Sequence, residues 1–395
     1  MSSEAAPETS LDSHELLATA QSNTGLRDFG TDDSWRVGFD KLLEAVRSME
    51  APPIMRASVR RAMLHHLQTR LQLTEDARLH PQIVAQTIQK PLVIIGLPRT
   101  GTTITYDLLA LDPLARAPRE WEWYMPWPAT QTATFTTDPR IGIVQGMYQN
   151  WLNHAPELEQ IQRFDCTQPG ECNHGMSHHF ASTNFWAEYG VPDFARWLRE
   201  EVAPGQYLTH KRLLQQFQWQ GPRGLWILKS PQHLFDLEGL LATYPDACLI
   251  WTHRDPVSTF SSLASMVSKF QRATGGGKDL HAVGRSVMDM WSAAMARATA
   301  ARSSNPRVEH AILDLAHRDV VHDPIGTIRR IYARFGFAFS AAHEERIQRF
   351  LSESRSAQRL GQHRHDPSEF GITAGEVHSR LADYYTRFGH LLAKA

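Results

Sequence analysis

Pro91 to Thr103 reads PLVIIGLPRTGTT, and this stretch decides the fold. Leu92 to Ile95 form an apolar, β-branched-rich run of the kind found in a parallel strand buried on both faces. The run ends at Gly96, and the spacing Gly96-x-x-x-x-Gly101-Thr102-Thr103 follows. The next segment, ITYDLLALDP, has apolar residues at helical intervals and stops at Asp112-Pro113. A strand, a glycine loop and a helix in that order place backbone N–H groups and a helix N-terminus around an anion. A nucleotide triphosphatase loop would carry lysine where Thr102 stands, and here the cation of the loop is Arg99. The pattern predicts a phosphate cradle with chemistry other than that of an ATPase.

Beyond this segment, GLWILKS near 224–230, ACLIWTH near 247–253 and VEHAILDL near 308–315 are further short apolar strands. Helical stretches separate them: HLFDLEGLLATYP, PVSTFSSLASMVSKF and VGRSVMDMWSAAMARATAARS. Strands alternating with helices predict an α/β domain with a central parallel sheet, flanked by helices, that binds ligands at the strand C-terminal ends. Residues 1–88 read as an N-terminal helical extension, in which SVRRAMLHHLQTRLQL ends near Thr74-Glu75-Asp76. Residues 89–395 read as the α/β domain. Within it, 119–220 is longer than a crossover requires and holds Trp121, Trp123, Trp127, Trp151, Trp186, Trp197 and Trp219. This insertion is expected to form a helical lid over an acceptor pocket.

Composition narrows the function classes. Apolar content of 42% with 21% charged residues is that of a globular chain. A formal net charge of −1 gives no bulk attraction to nucleic acid or to an anionic membrane. The three cysteines, Cys166, Cys172 and Cys248, form no CxxC pair, and the acidic N-terminus lacks the layout of a signal peptide. No apolar run approaches the roughly 20 residues that cross a bilayer. A cytoplasmic protein is the expectation.

LIWTHRDPVSTFSSLASM, residues 249–266, suggests a second anion site. A strand runs into Arg254, Asp255 is a good N-cap, Pro256 can open the helix, and Ser262 lies two turns along it. Together, GLPRTGTT and HRDPVSTFS resemble the two nucleotide-binding signatures of sulfotransferases that use 3′-phosphoadenylyl sulfate (PAPS). The likeness extends through LKSP, which ends a strand at Lys229, to Trp121-Glu122, to PGEC at 169–172 and to the closing HRHDPSEFG. It covers the chain from about residue 90 onward.

The resemblance implies a P-loop-related fold and transfer of a sulfuryl group from PAPS to a hydroxyl or amine. It implies that Arg99, Thr100, Gly101, Thr102 and Thr103 hold the 5′-phosphosulfate, and that Arg254 with Ser262 holds the 3′-phosphate. Lys229 takes the catalytic position, with Arg99 also on the leaving-group side, and Arg364 falls where the family places a basic loop over the 3′-phosphate and adenine. The sulfuryl group carries less charge than a γ-phosphate, so fixed cations can replace a divalent metal, and no metal is expected. Two residues compete as general base: Glu122, whose flanking tryptophans could raise its pKa, and His233, which titrates near neutrality; Glu120 is a third. The Trp-rich lid suits an acceptor with an apolar body, such as a phenol, sterol, lipid or glycolipid.

Several look-alikes are set aside. His253-Arg254-Asp255 and Asp28-Phe29-Gly30 copy kinase triplets, but their order along the chain is reversed. The spacing of Cys166, Cys172, His174, His178 and His179 fits no common zinc module. Outside the family, the rival classes are a P-loop kinase of small molecules and a non-catalytic nucleotide-binding protein. The first would need a loop lysine and an acidic strand end for Mg²⁺.

Overall fold

The computed structural model describes residues 9–160, 163–357 and 366–392. Five strands, β1 Leu92–Gly96, β2 Ala115–Arg116, β3 Leu225–Lys229, β4 Cys248–His253 and β5 Ile312–Ala316, form one sheet in the order β2-β3-β1-β4-β5. Every pairing is parallel. The crossovers lie on both faces, which is why the strands read as unbroken apolar runs rather than as alternating ones. Val93, Ile95, Leu228, Leu249 and Trp251 point into the larger core, while Leu92, Ile94, Ile227 and Ile250 point into the smaller one.

The smaller core packs the sheet against the helices Thr102–Ala110 and Pro324–Phe335. The larger core joins the sheet to the N-terminal helices and to the insertion: Phe39, Leu43, Val59 and Leu67 share it with Phe180, Trp186, Phe194 and Trp251. The N-terminal helices and residues 119–220 thus share one core on one face of the sheet. At this packing, Gly38 lets the helix Trp35–Ser48 lie against the backbone of Phe180, because a Cβ there would come within 2.4 Å of the Phe180 carbonyl oxygen.

Local details depart from the sequence reading where capping groups intervene. The helix from Pro53 does not stop at Thr74-Glu75-Asp76 but runs to Leu79. VEHAILDL is split: Asn305 accepts from the Arg307 N–H and Pro306 opens a helix to Ala311, so the strand begins at Ile312. HLFDLEGLLATYP is also broken, because the Asp236 carboxylate accepts from the Gly239 N–H and starts a new helix, Leu237–Thr243. The two-residue β2 carries too little pattern to be read from sequence. No described helix is long and apolar enough to cross a membrane.

Candidate active site

β1, β3 and β4 end side by side, and a cavity of about 500 Å³ opens at their C-terminal ends. Register brings Gly96 next to Thr252 and Ile94 next to Lys229, so the glycine loop, Lys229 and Arg254 emerge around one point. Gly96 has φ 131°, and a Cβ on it would stand 2.6 Å from Thr252 Oγ1. Only glycine lets the chain turn there so close to β4. Thr100 then fastens the loop: its hydroxyl donates to the Leu97 carbonyl at 2.7 Å and lies 2.7 Å from Thr252 Oγ1.

Arg99 has φ 70°, a left-handed conformation that is costly for a residue with a side chain and is typical of functional loops. Its Nε donates to Ser262 Oγ at 3.3 Å, and Arg254 Nη1 donates to its carbonyl oxygen at 3.0 Å. Burial, and then the neighbouring Arg254 charge, lowers the Arg99 pKa from its ordinary value. Two guanidiniums at such close quarters repel until an anion joins them. Gly101, Thr102, Thr103 and Lys229 line the same wall. Lys229 Nζ lies 3.5 Å from Thr103 Oγ1 and forms an ion pair with the Glu171 carboxylate. The helix that starts at Thr102 directs its N-terminus at this cluster, adding a partial positive charge. A polyanion fits the donor set.

The opposite wall carries acid groups and apolar surface. The Glu120 carboxylate enters the cavity; its Oε2 is 3.3 Å from His174 Nε2 and accepts from the Tyr148 hydroxyl at 3.4 Å. Asn184 Nδ2 lies 3.1 Å from His174 Nδ1, which leaves Nε2 to donate to Glu120. Burial raises the Glu120 pKa above the ordinary carboxylate value, with His174 opposing and Glu171 reinforcing the shift. Deeper in, Trp186, Leu263, Met266, Val267, Phe270 and Trp291 make an apolar chamber. Glu188 borders it, and burial pushes its pKa up to about 7.

Arg99, Gly101, Thr102, Thr103, Lys229 and Arg254 line one cavity, whereas Ser262, expected to act with Arg254, hydrogen-bonds Arg99 instead. Thr100 is different, because its hydroxyl faces β4 rather than the cavity. Both leading candidates for the base lie elsewhere. Glu122 is fully buried: its carboxylate pairs with Arg116, accepts from Thr130 Oγ1 at 2.9 Å and from the Arg119 N–H at 2.9 Å, and caps its own short helix. His233 is also sealed in the core, with Nδ1 3.0 Å from the Tyr207 hydroxyl, and burial drives its pKa well below the ordinary value. Arg364 lies outside the described residues.

Sequence reasoning missed His174, Asn184, Tyr148 and Glu171. PGEC at 169–172 was the available signal, since it fixes Glu171 opposite Lys229 and leads into the short helix Cys172–Ser177 that presents His174. Of the tryptophans in the insertion, Trp151 and Trp186 line the cavity, whereas Trp121, Trp123 and Trp197 fill cores. The kinase look-alikes resolve into structure: His253 binds Asp314 at 2.8 Å and the Tyr384 hydroxyl at 2.8 Å, Asp255 caps the helix Pro256–Ala273, and Asp28 accepts from the Gly30 N–H.

Comparison with known proteins gives the family. The profile of the Sulfotransferase family matches residues 91–341, and the chain belongs to that family. The omega-hydroxy-beta-dihydromenaquinone-9 sulfotransferases Stf3 of Mycobacterium bovis and Mycobacterium tuberculosis are each 26% identical to it over 282 residues, 68% of this chain and 69% of theirs. The crystal structure of sulfotransferase STF9 from Mycobacterium avium superposes with a TM-score of 0.86 at 27% identity, covering 96% of this chain and 97% of that one. Sulfotransferase STF1 from Mycobacterium tuberculosis H37Rv superposes with a TM-score of 0.82 at 27% identity, covering 95% and 100%. The P-loop-related α/β fold is therefore that of a sulfotransferase.

Proposed function

We propose that this sulfotransferase moves the sulfuryl group of PAPS to a hydroxyl on an acceptor with an apolar body, with Glu120 as the general base. The observation that carries the reading is the convergence on one cavity of Arg99, Lys229, Arg254 and a helix N-terminus on one wall and the Glu120 carboxylate on the other. The donor supplies an activated sulfur bonded to a phosphate leaving group. The loop N–H groups with Thr102 and Thr103 hold its 5′ end, and Arg254, tied to the Arg99 carbonyl, meets the 3′-phosphate.

Glu120 takes the acceptor proton as the hydroxyl oxygen bonds to sulfur. His174 and Tyr148 hold the carboxylate in place, and its raised pKa makes it a stronger base than an exposed glutamate. Lys229 and Arg99 stabilise the charge that grows on the phosphate oxygen as the S–O bond breaks, and adenosine 3′,5′-bisphosphate leaves. Glu171 holds Lys229 until the donor arrives and yields to it. The chamber of Trp186, Leu263, Met266, Phe270 and Trp291 supports a phenol or lipid-like acceptor, as does the likeness to a dihydromenaquinone sulfotransferase.

The test is transfer from ³⁵S-labelled PAPS to a panel of phenols, sterols and prenyl alcohols, run beside γ-labelled ATP with Mg²⁺. Labelled sulfate ester from apolar alcohols or phenols supports the proposal. Phosphoryl transfer, or PAPS binding with no transfer to any acceptor, overturns it.

A further inference from the structure

The residue expected as a base, His233, has its own destination. Its ring enters the core beneath the end of β3 and meets His210 and Cys172 there, and all three side chains are buried. They come from separate elements: Cys172 opens the helix Cys172–Ser177, His210 lies on the helix Gln206–Trp219, and His233 lies on the turn Pro231–Phe235. One ligating atom from each, sulfur or ring nitrogen, lies within 4.8 Å of the other two.

The hydrogen bonds give this cluster its meaning. Nδ1 of His210 is 2.7 Å from the Tyr244 hydroxyl, and Nδ1 of His233 is 3.0 Å from the Tyr207 hydroxyl. Each ring is thereby fixed from one side. The Nε2 atoms of both rings are buried with no hydrogen-bond partner among the described residues. An unpaired buried ring nitrogen is costly, and two in one cluster with a buried thiol are hard to account for by packing. Imidazoles oriented through Nδ1, with Nε2 free, are in the form that binds metals.

We propose that Cys172, His210 and His233 form a buried three-ligand site for one d¹⁰ cation, Zn²⁺ or Cu⁺. The ligand set suits such ions, which take thiolate and imidazole at roughly 2.3 and 2.1 Å. The ion would lie outside the catalytic cavity and pin the helix bearing His174, and Glu171 just before it, to the strand bearing Lys229. It is a brace for the site rather than a participant in the chemistry. The sequence spacing concealed it, because the partners of Cys172 are 38 and 61 residues further along.

The experiment measures metal in protein purified from zinc-replete and from copper-replete cells, after desalting. About one equivalent per chain of either element is expected, with loss in Cys172→Ser and His233→Asn. X-ray absorption of the loaded wild-type protein provides a reading that needs no variant, and a shell of one sulfur and two nitrogens is expected. Metal-free protein from both cultures overturns the proposal, as does a shell without sulfur. So does metal that persists in Cys172→Ser but disappears in His66→Gln, which would move it to the neighbouring cluster of His65, His66 and His178.

Discussion

Glu120 and Glu122 lie two residues apart on one short helix, yet the first carboxylate opens into the cavity while the second is sealed against Arg116. Their chemistry separates accordingly. Glu120→Gln should lower turnover by about 10²–10⁴ with donor binding retained. Glu122→Ala should instead cost stability, about 3–5 kcal/mol, because it leaves the Arg116 charge buried and uncompensated. Turnover and denaturant unfolding of both variants check this, and the opposite pattern would return the base to Glu122.

The acid limb of the rate profile follows from the raised Glu120 pKa. A base works deprotonated, so the rate should fall as pH drops through a value above that of an ordinary glutamate. Burial raises this pKa, so wetting the site should lower it. In Tyr148→Phe, where one donor to the carboxylate is gone, the limb should move further up. A limb that stays put in this variant would detach it from Glu120.

Glu188 predicts an effect on stability. Its folded pKa of about 7 exceeds the unfolded value, so the native state holds the extra proton. The stability this brings is full below the unfolded pKa near 4.5 and is lost as pH rises through about 7. Glu188→Gln should flatten the stability curve across that window. An unchanged slope in chemical unfolding at several pH values would show that Glu188 is ionised throughout.

Arg254 and Lys229 should fail in distinguishable ways. Arg254→Ala should weaken adenosine 3′,5′-bisphosphate by about 1.5–3 kcal/mol while leaving AMP nearly unaffected. Lys229→Met should reduce turnover by about 10²–10³ with a smaller change in donor affinity. Calorimetry against both nucleotides, paired with turnover, separates them. Equal losses for the two nucleotides in Arg254→Ala would remove the 3′-phosphate from that residue.

Much of this architecture could be read in the sequence because buried parallel strands leave apolar runs, as β1, β3 and β4 do, while the partly buried β5 was read together with the helix before it. The cationic side of the cavity was legible for a related reason: its groups sit at strand ends, where the backbone dictates direction. The side bearing Glu120 was not. Glu120 and Glu122 share their tryptophan neighbours, and only the three-dimensional position of Arg116 distinguishes them. His233 follows Lys229 closely, but the turn Pro231–Phe235 rotates it into the core. His174 becomes functional only through contact with Glu120, 54 residues earlier, which no local pattern records.

Gly96 stands beside Thr252 in register, and Thr100 clasps Thr252, so the loop and the segment bearing Arg254 leave the sheet from adjacent rungs of one ladder. The spacing of these two segments is therefore written in main chain, and only the reach of Arg99 and Arg254 is left to rotamers. The sheet works as a gauge: it sets how far apart the glycine loop and the Arg254 segment begin, before either side chain reaches into the cavity.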